Sequence, residues 1–157
     1  MKKIIIGADH AGFELKEALK PFLIAGGWEV SDAGVYDNSP ADYPDFGCKV
    51  AEKVSSGEFA RGILICGSGV GMTILANKFP GIRAVLCLDE GMARLSRMHN
   101  DTNILSLAGR RTDVKKAVAI VNAWLETPFE GGRHQRRIDK IRQWEENLCR
   151  GKIMPSQ

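Results

Sequence analysis

The sequence has no CxxC pair, and its four cysteines, Cys48, Cys66, Cys87 and Cys149, lie far apart. That spacing suggests neither a zinc knuckle nor a disulfide framework and points to a reducing cytoplasm. One sign of charge does not dominate either, because 22 Lys and Arg stand against 19 Asp and Glu for a formal net charge of +3. So mild a balance gives no argument for nucleic acid. No apolar run approaches membrane-spanning length, and Ile4-Ile5-Ile6 before Gly7 and Asp9 is too short to read as a signal peptide. Repeats, low-complexity tracts and linkers are missing as well. At 157 residues the chain reads as one domain able to bury a core without metal or disulfides.

What is present is a succession of strand and helix patterns. Lys3 to Gly7, Trp28 to Ser31, Gly62 to Cys66, Ile82 to Leu88 and Asn103 to Leu107 read as strands. Between and after them, Gly12 to Ile24, Phe46 to Val54, Met72 to Lys78, Glu90 to Met98 and Val114 to Leu125 carry helical spacing, with a loop from Asp32 to Pro44. Five βα units predict a single three-layer α/β/α, Rossmann-like domain over 1–148, with a five-stranded parallel sheet in undetermined strand order. A further helix follows Gly131-Gly132, and its stripe of Ile138, Ile141, Trp144 and Leu148 must lie on something. Both faces of the sheet already have helices, so the stripe is expected to serve a homodimer. Residues 149–157 are expected to form a disordered tail.

Ligands in such sheets bind beyond the carboxyl ends of the strands. By that rule Asp9 and His10, Cys66 to Gly71, Asp89 and Arg110 are site candidates. His99, Asn100 and Asp101 end the fourth helix, which ordinarily runs to the opposite edge. The stretch Cys66-Gly67-Ser68-Gly69-Val70-Gly71 hands a strand to a helix, where glycine amides and unpaired N–H groups can close around an anion. A free thiol has a pKa near ~8.5, and a helix N-terminus worth up to ~2 kcal/mol can lower it toward neutrality. Cys66 there suits a general base, whereas the other cysteines read as structural. Blander readings stand beside these: an inert buried thiol for Cys66, helix capping for Asp9-His10, a helix end for His99 to Asp101, and a solvated basic face for Arg133 and Arg137. The two arginines, four apart, also make a clamp for a phosphate dianion. A metal site from Asp9, His10 and His99 lacks ligand spacing on one element. The loop is G-x-G-x-G after the third strand, so a nicotinamide fold with Asp89 on the ribose is a weak alternative.

Several motifs occur together and in order: Gly7-Ala8-Asp9-His10-Ala11-Gly12, Asp42-Tyr43-Pro44, Gly62 to Gly71, Ala76-Asn77-Lys78, Gly81-Ile82-Arg83-Ala84, His99-Asn100-Asp101 and Gly131-Gly132-Arg133-His134-Gln135. In these the chain resembles the type B ribose-5-phosphate isomerases, from Met1 to about Leu148. That group also includes isomerases of galactose 6-phosphate and allose 6-phosphate. The resemblance implies a cofactor-independent interconversion of ribose 5-phosphate and ribulose 5-phosphate, a step of the pentose phosphate pathway, through an enediolate. It implies Cys66 as the base and the loop Gly67, Ser68, Gly69, Val70 and Gly71 around the oxyanion. His99, with Asp9 assisting, would open the furanose ring. His10, Arg110, Arg133 and Arg137 would hold the phosphate, and Asn100 a sugar hydroxyl. One branch of the family carries a glutamate in the loop instead of the cysteine; here that position is Val70, which places the chain in the cysteine branch. A site shared across a homodimer is implied too, with His99 of one subunit facing Cys66 of the other. The expected partner is a small sugar phosphate, with no cofactor, metal, nucleic acid or membrane. A hexose 6-phosphate isomerase and a non-catalytic sugar-phosphate binder are the alternatives.

Overall fold

The computed structural model describes residues 2–152. Five strands form one sheet, β1 (Lys2–Ala8), β2 (Trp28–Asp32), β3 (Gly62–Cys66), β4 (Ala84–Leu86) and β5 (Ile104–Ala108). Every pairing is parallel and the order is β2-β1-β3-β5-β4. Register runs through Gly7 beside Leu64, Leu64 beside Ser106, and Leu86 beside Ser106. The parallel, helix-covered sheet agrees with the sequence expectation, and the strand order is new. Because β5 inserts between β3 and β4, the short β4 becomes an edge.

Alternation along the strands explains the two cores. Ile4, Ile6, Ile63, Ile65, Leu105 and Leu107 pack with α1 (Phe13–Ala25), α4 (Glu90–Asn100) and α5 (Val114–Glu126). Ile5, Leu64, Cys66 and Ile104 face the other way, toward α2 (Tyr43–Ser55) and α3 (Val70–Ala76). Strands apolar on both faces are what a covered parallel sheet requires.

Two boundaries differ from the sequence reading, each with a physical cause. The helix expected from Phe46 starts at Tyr43, since Pro44 falls in its first turn, where a missing N–H costs nothing. The strand expected over Ile82 to Leu88 is only Ala84–Leu86, paired on one side by β5. Helix α6 (Arg133–Cys149) ends in Arg150 with Gly151 at φ 69°, while the remainder of the expected tail, residues 153–157, lies outside the described residues. This helix packs on α4 and buries His134 and Ile138. Ile141, Trp144 and Leu148 of the same stripe stay 54%, 51% and 60% exposed. Among the described residues no helix is long and apolar enough to cross a membrane.

Candidate active site

A cleft of about 590 Å³ opens at the carboxyl ends of β1, β3 and β5. Asp9, Tyr43, Cys66, Gly67, Ser68, Gly71, Arg110 and Arg111 line it. In this strand order the chain leaves β1 toward β2 and returns on the far side as β3, the point at which loops splay apart and open α/β sheets bind ligands. The Cys66 side chain points into the α2–α3 layer and is 4% exposed, yet it borders the cleft. Its carbonyl accepts the Gly109 N–H at 2.8 Å, and the Gly67 carbonyl accepts the Arg110 N–H at 3.1 Å. Those two bonds lock the β5 loop to the glycine loop.

Inside the loop each glycine has a distinct task. Gly69 takes φ 76°, and a β-carbon there would lie 3.0 Å from the Leu107 carbonyl oxygen. It is thus turned toward the sheet and does not line the cleft. Val70 does not line it either, and its side chain is half-exposed. The Val70 N–H donates to Ser68 Oγ at 3.2 Å, which folds the serine over the start of α3. Arg110 runs across Gly67, its Nη1 3.4 Å from where a β-carbon would stand.

Asp9 is 7% exposed, and its Oδ1 accepts the Gly12 N–H at 3.1 Å. The capping expected of it is therefore real and coexists with its place in the cleft. His10 does not line the cleft, and its Nδ1 lies 3.1 Å from both the N–H and the carbonyl oxygen of Ala41. None of the ion pairs among the described residues uses Arg110, Arg111, Arg133 or Arg137. Asp89, weighed as a ribose ligand, instead caps α4 by accepting the Met92 N–H at 2.8 Å.

The remaining candidates gather at the other edge. Helix α4 begins beyond the carboxyl end of β4 and delivers His99 and Asn100 to the opposite side of the sheet. There Asp101, at φ 44°, receives Arg97 at 2.7 Å and Arg83 at 3.1 Å, which fixes the end of the helix. His99 stacks on His134, with centroids 4.2 Å apart and planes 9° from parallel. Burial, then the neighbouring His99 and Arg133, hold the His134 pKa below the usual histidine value. Arg133 and Arg137 open α6 beside them, both exposed. One chain thus assembles Asp9, Cys66, the glycine loop and Arg110 in one place, and His99, Asn100, Arg133 and Arg137 in another.

His99, Glu130 and His134 bring three donor atoms within 4.8 Å of one another. An imidazole binds a metal in its own ring plane, and two stacked planes share no such point, so this arrangement does not suit a cation. Cys87 is inert by environment: burial pushes its thiol up to about 12.

Sequence reasoning missed Tyr43 and Arg111 as lining residues. Tyr43 was visible within Asp42-Tyr43-Pro44, but only the early start of α2 brings its ring over Gly71.

A family profile described as Ribose/Galactose Isomerase matches residues 4–141. The chain belongs to this family. Within it, the chain is 50% identical to ribose-5-phosphate isomerase B of Escherichia coli strain K12 over 141 residues, covering 90% of this chain and 95% of that protein. It superimposes on the Clostridium thermocellum ribose-5-phosphate isomerase B with a TM-score of 0.91 and 52% identity, covering 93% of this chain and 99% of the other. The Mycoplasma genitalium family member, solved with bound ribulose 5-phosphate, gives a TM-score of 0.88 at 42% identity, covering 92% of this chain and 96% of that one.

Proposed function

We propose that the protein is an aldose-ketose isomerase that interconverts ribose 5-phosphate and ribulose 5-phosphate through an enediolate. The observation carrying this reading is the Cys66 thiol bordering a cleft that also holds a glycine loop and two guanidiniums with no ion-pair partner among the described residues. The family's curated relatives named ribose-5-phosphate isomerase B support the substrate.

In this reading the furanose opens first. The C1–O4 bond breaks, its electron pair goes to O4, and O4 takes a proton from His99. The O1 hydroxyl gives its proton to Asp9 and becomes the carbonyl. Cys66 thiolate then removes the proton from C2, and those electrons form the C1–C2 double bond of an enediolate whose charge rests on O1. A proton passes from O2 to O1, which moves the charge to O2, and the same thiol then returns its proton to C1, leaving the ketone at C2 and a hydroxyl on C1. Loop amides from Gly67 to Gly71 shelter the oxyanion, although the Val70 N–H is already engaged by Ser68. One such donor is worth about 2.7–4 kcal/mol of barrier. Arg110, His10, Arg133 and Arg137 hold the phosphate, and Asn100 takes a sugar hydroxyl. A thiol in this role belongs in the reducing cytoplasm.

Completing that set needs a second copy of the chain. A groove of about 450 Å³ runs along the edge strand, lined by Val85, Met92, Leu95, Ile141, His99 and Asn100. Exposed Met92, Leu95, Ile141 and Trp144 in and around it are the apolar surface a two-fold dimer would cover. His99, Asn100, Arg133 and Arg137 of one subunit then complete the Cys66 cleft of the other.

The test is turnover of ribose 5-phosphate in excess chelator by the wild type and by Cys66→Ala, with allose 6-phosphate run in parallel. Turnover of the pentose that disappears with the thiol supports the reading. Full activity of Cys66→Ala removes the thiol from its role, and preference for the hexose changes the substrate.

A further inference from the structure

Glu130, in the loop before α6, stands against two imidazoles. Its Oε2 is 3.4 Å from His134 Nε2 and 3.9 Å from His99 Nε2. Its own N–H donates to the Met98 carbonyl at 3.1 Å, so the main chain ties this carboxylate to the turn of α4 that carries His99. The Arg133 Nε–H points to His134 Nε2 at 3.5 Å, a contact that assigns this nitrogen the acceptor role in the neutral ring. The proton-bearing nitrogen free to meet Glu130 is then His99 Nε2. His134 itself is 5% exposed and lies flat on the His99 ring, restricting its rotation.

We infer that Glu130 is a positioning residue for His99: its carboxylate holds the Nε2 proton and stabilises the imidazolium, whose Nδ1–H faces the sugar and is the proton given to O4 during ring opening. His134, packed as a neutral plate, holds the ring's orientation. The logic is that of any carboxylate behind a catalytic imidazole, which selects the tautomer and stabilises the imidazolium without itself taking the proton. A separation of 3.9 Å is long for a finished hydrogen bond, and such contacts tighten when substrate arrives.

The inference rests on the role given to His99 above, and a substrate without a ring separates the two. Ribose 5-phosphate is a closed furanose that must be opened. Erythrose 4-phosphate has no furanose to open, because its O4 is esterified. A group serving only ring opening therefore affects the pentose alone. Glu130→Gln is expected to lower kcat for ribose 5-phosphate about 10- to 100-fold with KM unchanged, and to leave turnover of the tetrose phosphate as it is in the wild type. Glu130→Asp, which retains a carboxylate, is expected to recover part of the loss. His99→Ala run beside them tests the parent reading. A pentose-selective loss in His99→Ala together with an undiminished Glu130→Gln overturns this inference alone, as does a Glu130→Gln loss equal on both substrates. Absence of any pentose-selective loss in His99→Ala overturns both. Nitrogen-15 shifts followed through the titration of the wild-type imidazoles give a reading that needs no variant: a His99 that gives up its Nδ1 proton and keeps the one on Nε2 supports the assignment, and one that keeps Nδ1–H overturns it.

Discussion

Gly71 lies beneath the ring of Tyr43, with the ring's Cζ 2.7 Å from the place a β-carbon on Gly71 would take. Tyr43 opens α2 and Gly71 opens the second residue of α3, so the contact joins two helices across the mouth of the cleft. Gly71→Ala must push the ring aside. Activity toward ribose 5-phosphate is expected to fall more than about tenfold, a displacement of under 1 Å at a reacting site being enough. Thermal melting and kinetics of Gly71→Ala together check this, and a stable variant of full activity would refute it.

Arg110 lies across Gly67 and, among the described residues, has no acidic partner, as a phosphate ligand would. Losing a hydrogen bond to a charged group costs about 1.5–3 kcal/mol, so Arg110→Ala should weaken substrate binding roughly 10- to 150-fold. Inorganic phosphate as a competitive inhibitor gives the same information without turnover. Its inhibition constant should rise in parallel with KM.

A shared site predicts complementation between two crippled chains. Cys66→Ala and His99→Ala homodimers each lack one group at both sites, whereas a mixed dimer has one intact site. Random exchange makes about half the dimers mixed, so furanose isomerisation should recover to about a quarter of the wild-type rate. No recovery after verified subunit exchange would refute a site shared between subunits. Trp144→Glu, on the exposed stripe of α6, should give a monomer by sedimentation with the activity lost.

Lys16 is fully buried and binds Asp32 and Glu17, which Lys20 also reaches at 2.8 Å. Burial pushes the Asp32 carboxyl upward, but hydrogen bonds from Lys16 and Lys20 outweigh it and hold the pKa below 3.8. The Lys16 and Lys20 bonds likewise hold Glu17 below 4.5. For Lys20, burial pulls downward and the bonds from Asp32 and Glu17 win, raising it above 10.5. Depressed carboxyls stabilise the fold above their unfolded values and cease to do so as pH falls through the folded ones. The raised lysine has the opposite sign and loses its share above 10.5. Melting temperature should therefore decline on the acid side below about pH 4 and on the alkaline side above about pH 10.5, within the cluster's contribution. Asp32→Asn, which strips a carboxylate from a buried ammonium, should cost roughly 3 kcal/mol at neutral pH, and less in acid.

Much of this was legible in the residues because it depends on near neighbours. The run Gly62 to Cys66 is a strand buried on both faces, and the glycines after it turn into α3. The apolar stripe of α6 was visible as surplus, and three of its four members are exposed. Asp89 was harder. A carboxylate at a strand end reads equally as a ribose ligand or a helix cap, and only the 2.8 Å bond from Met92 decides for the cap.

By itself the sequence determined the βα alternation, the placement of a thiol beside a flexible glycine turn, and the family's motifs, since periodicity and backbone freedom act over a few residues. Only the tertiary structure decided that β5 enters between β3 and β4, that α2 begins early enough to lay Tyr43 on Gly71, and that His99 leans on His134 far from the Cys66 of its own chain. Those outcomes follow from which distant segments pack together, and burial energy is indifferent to order along the chain.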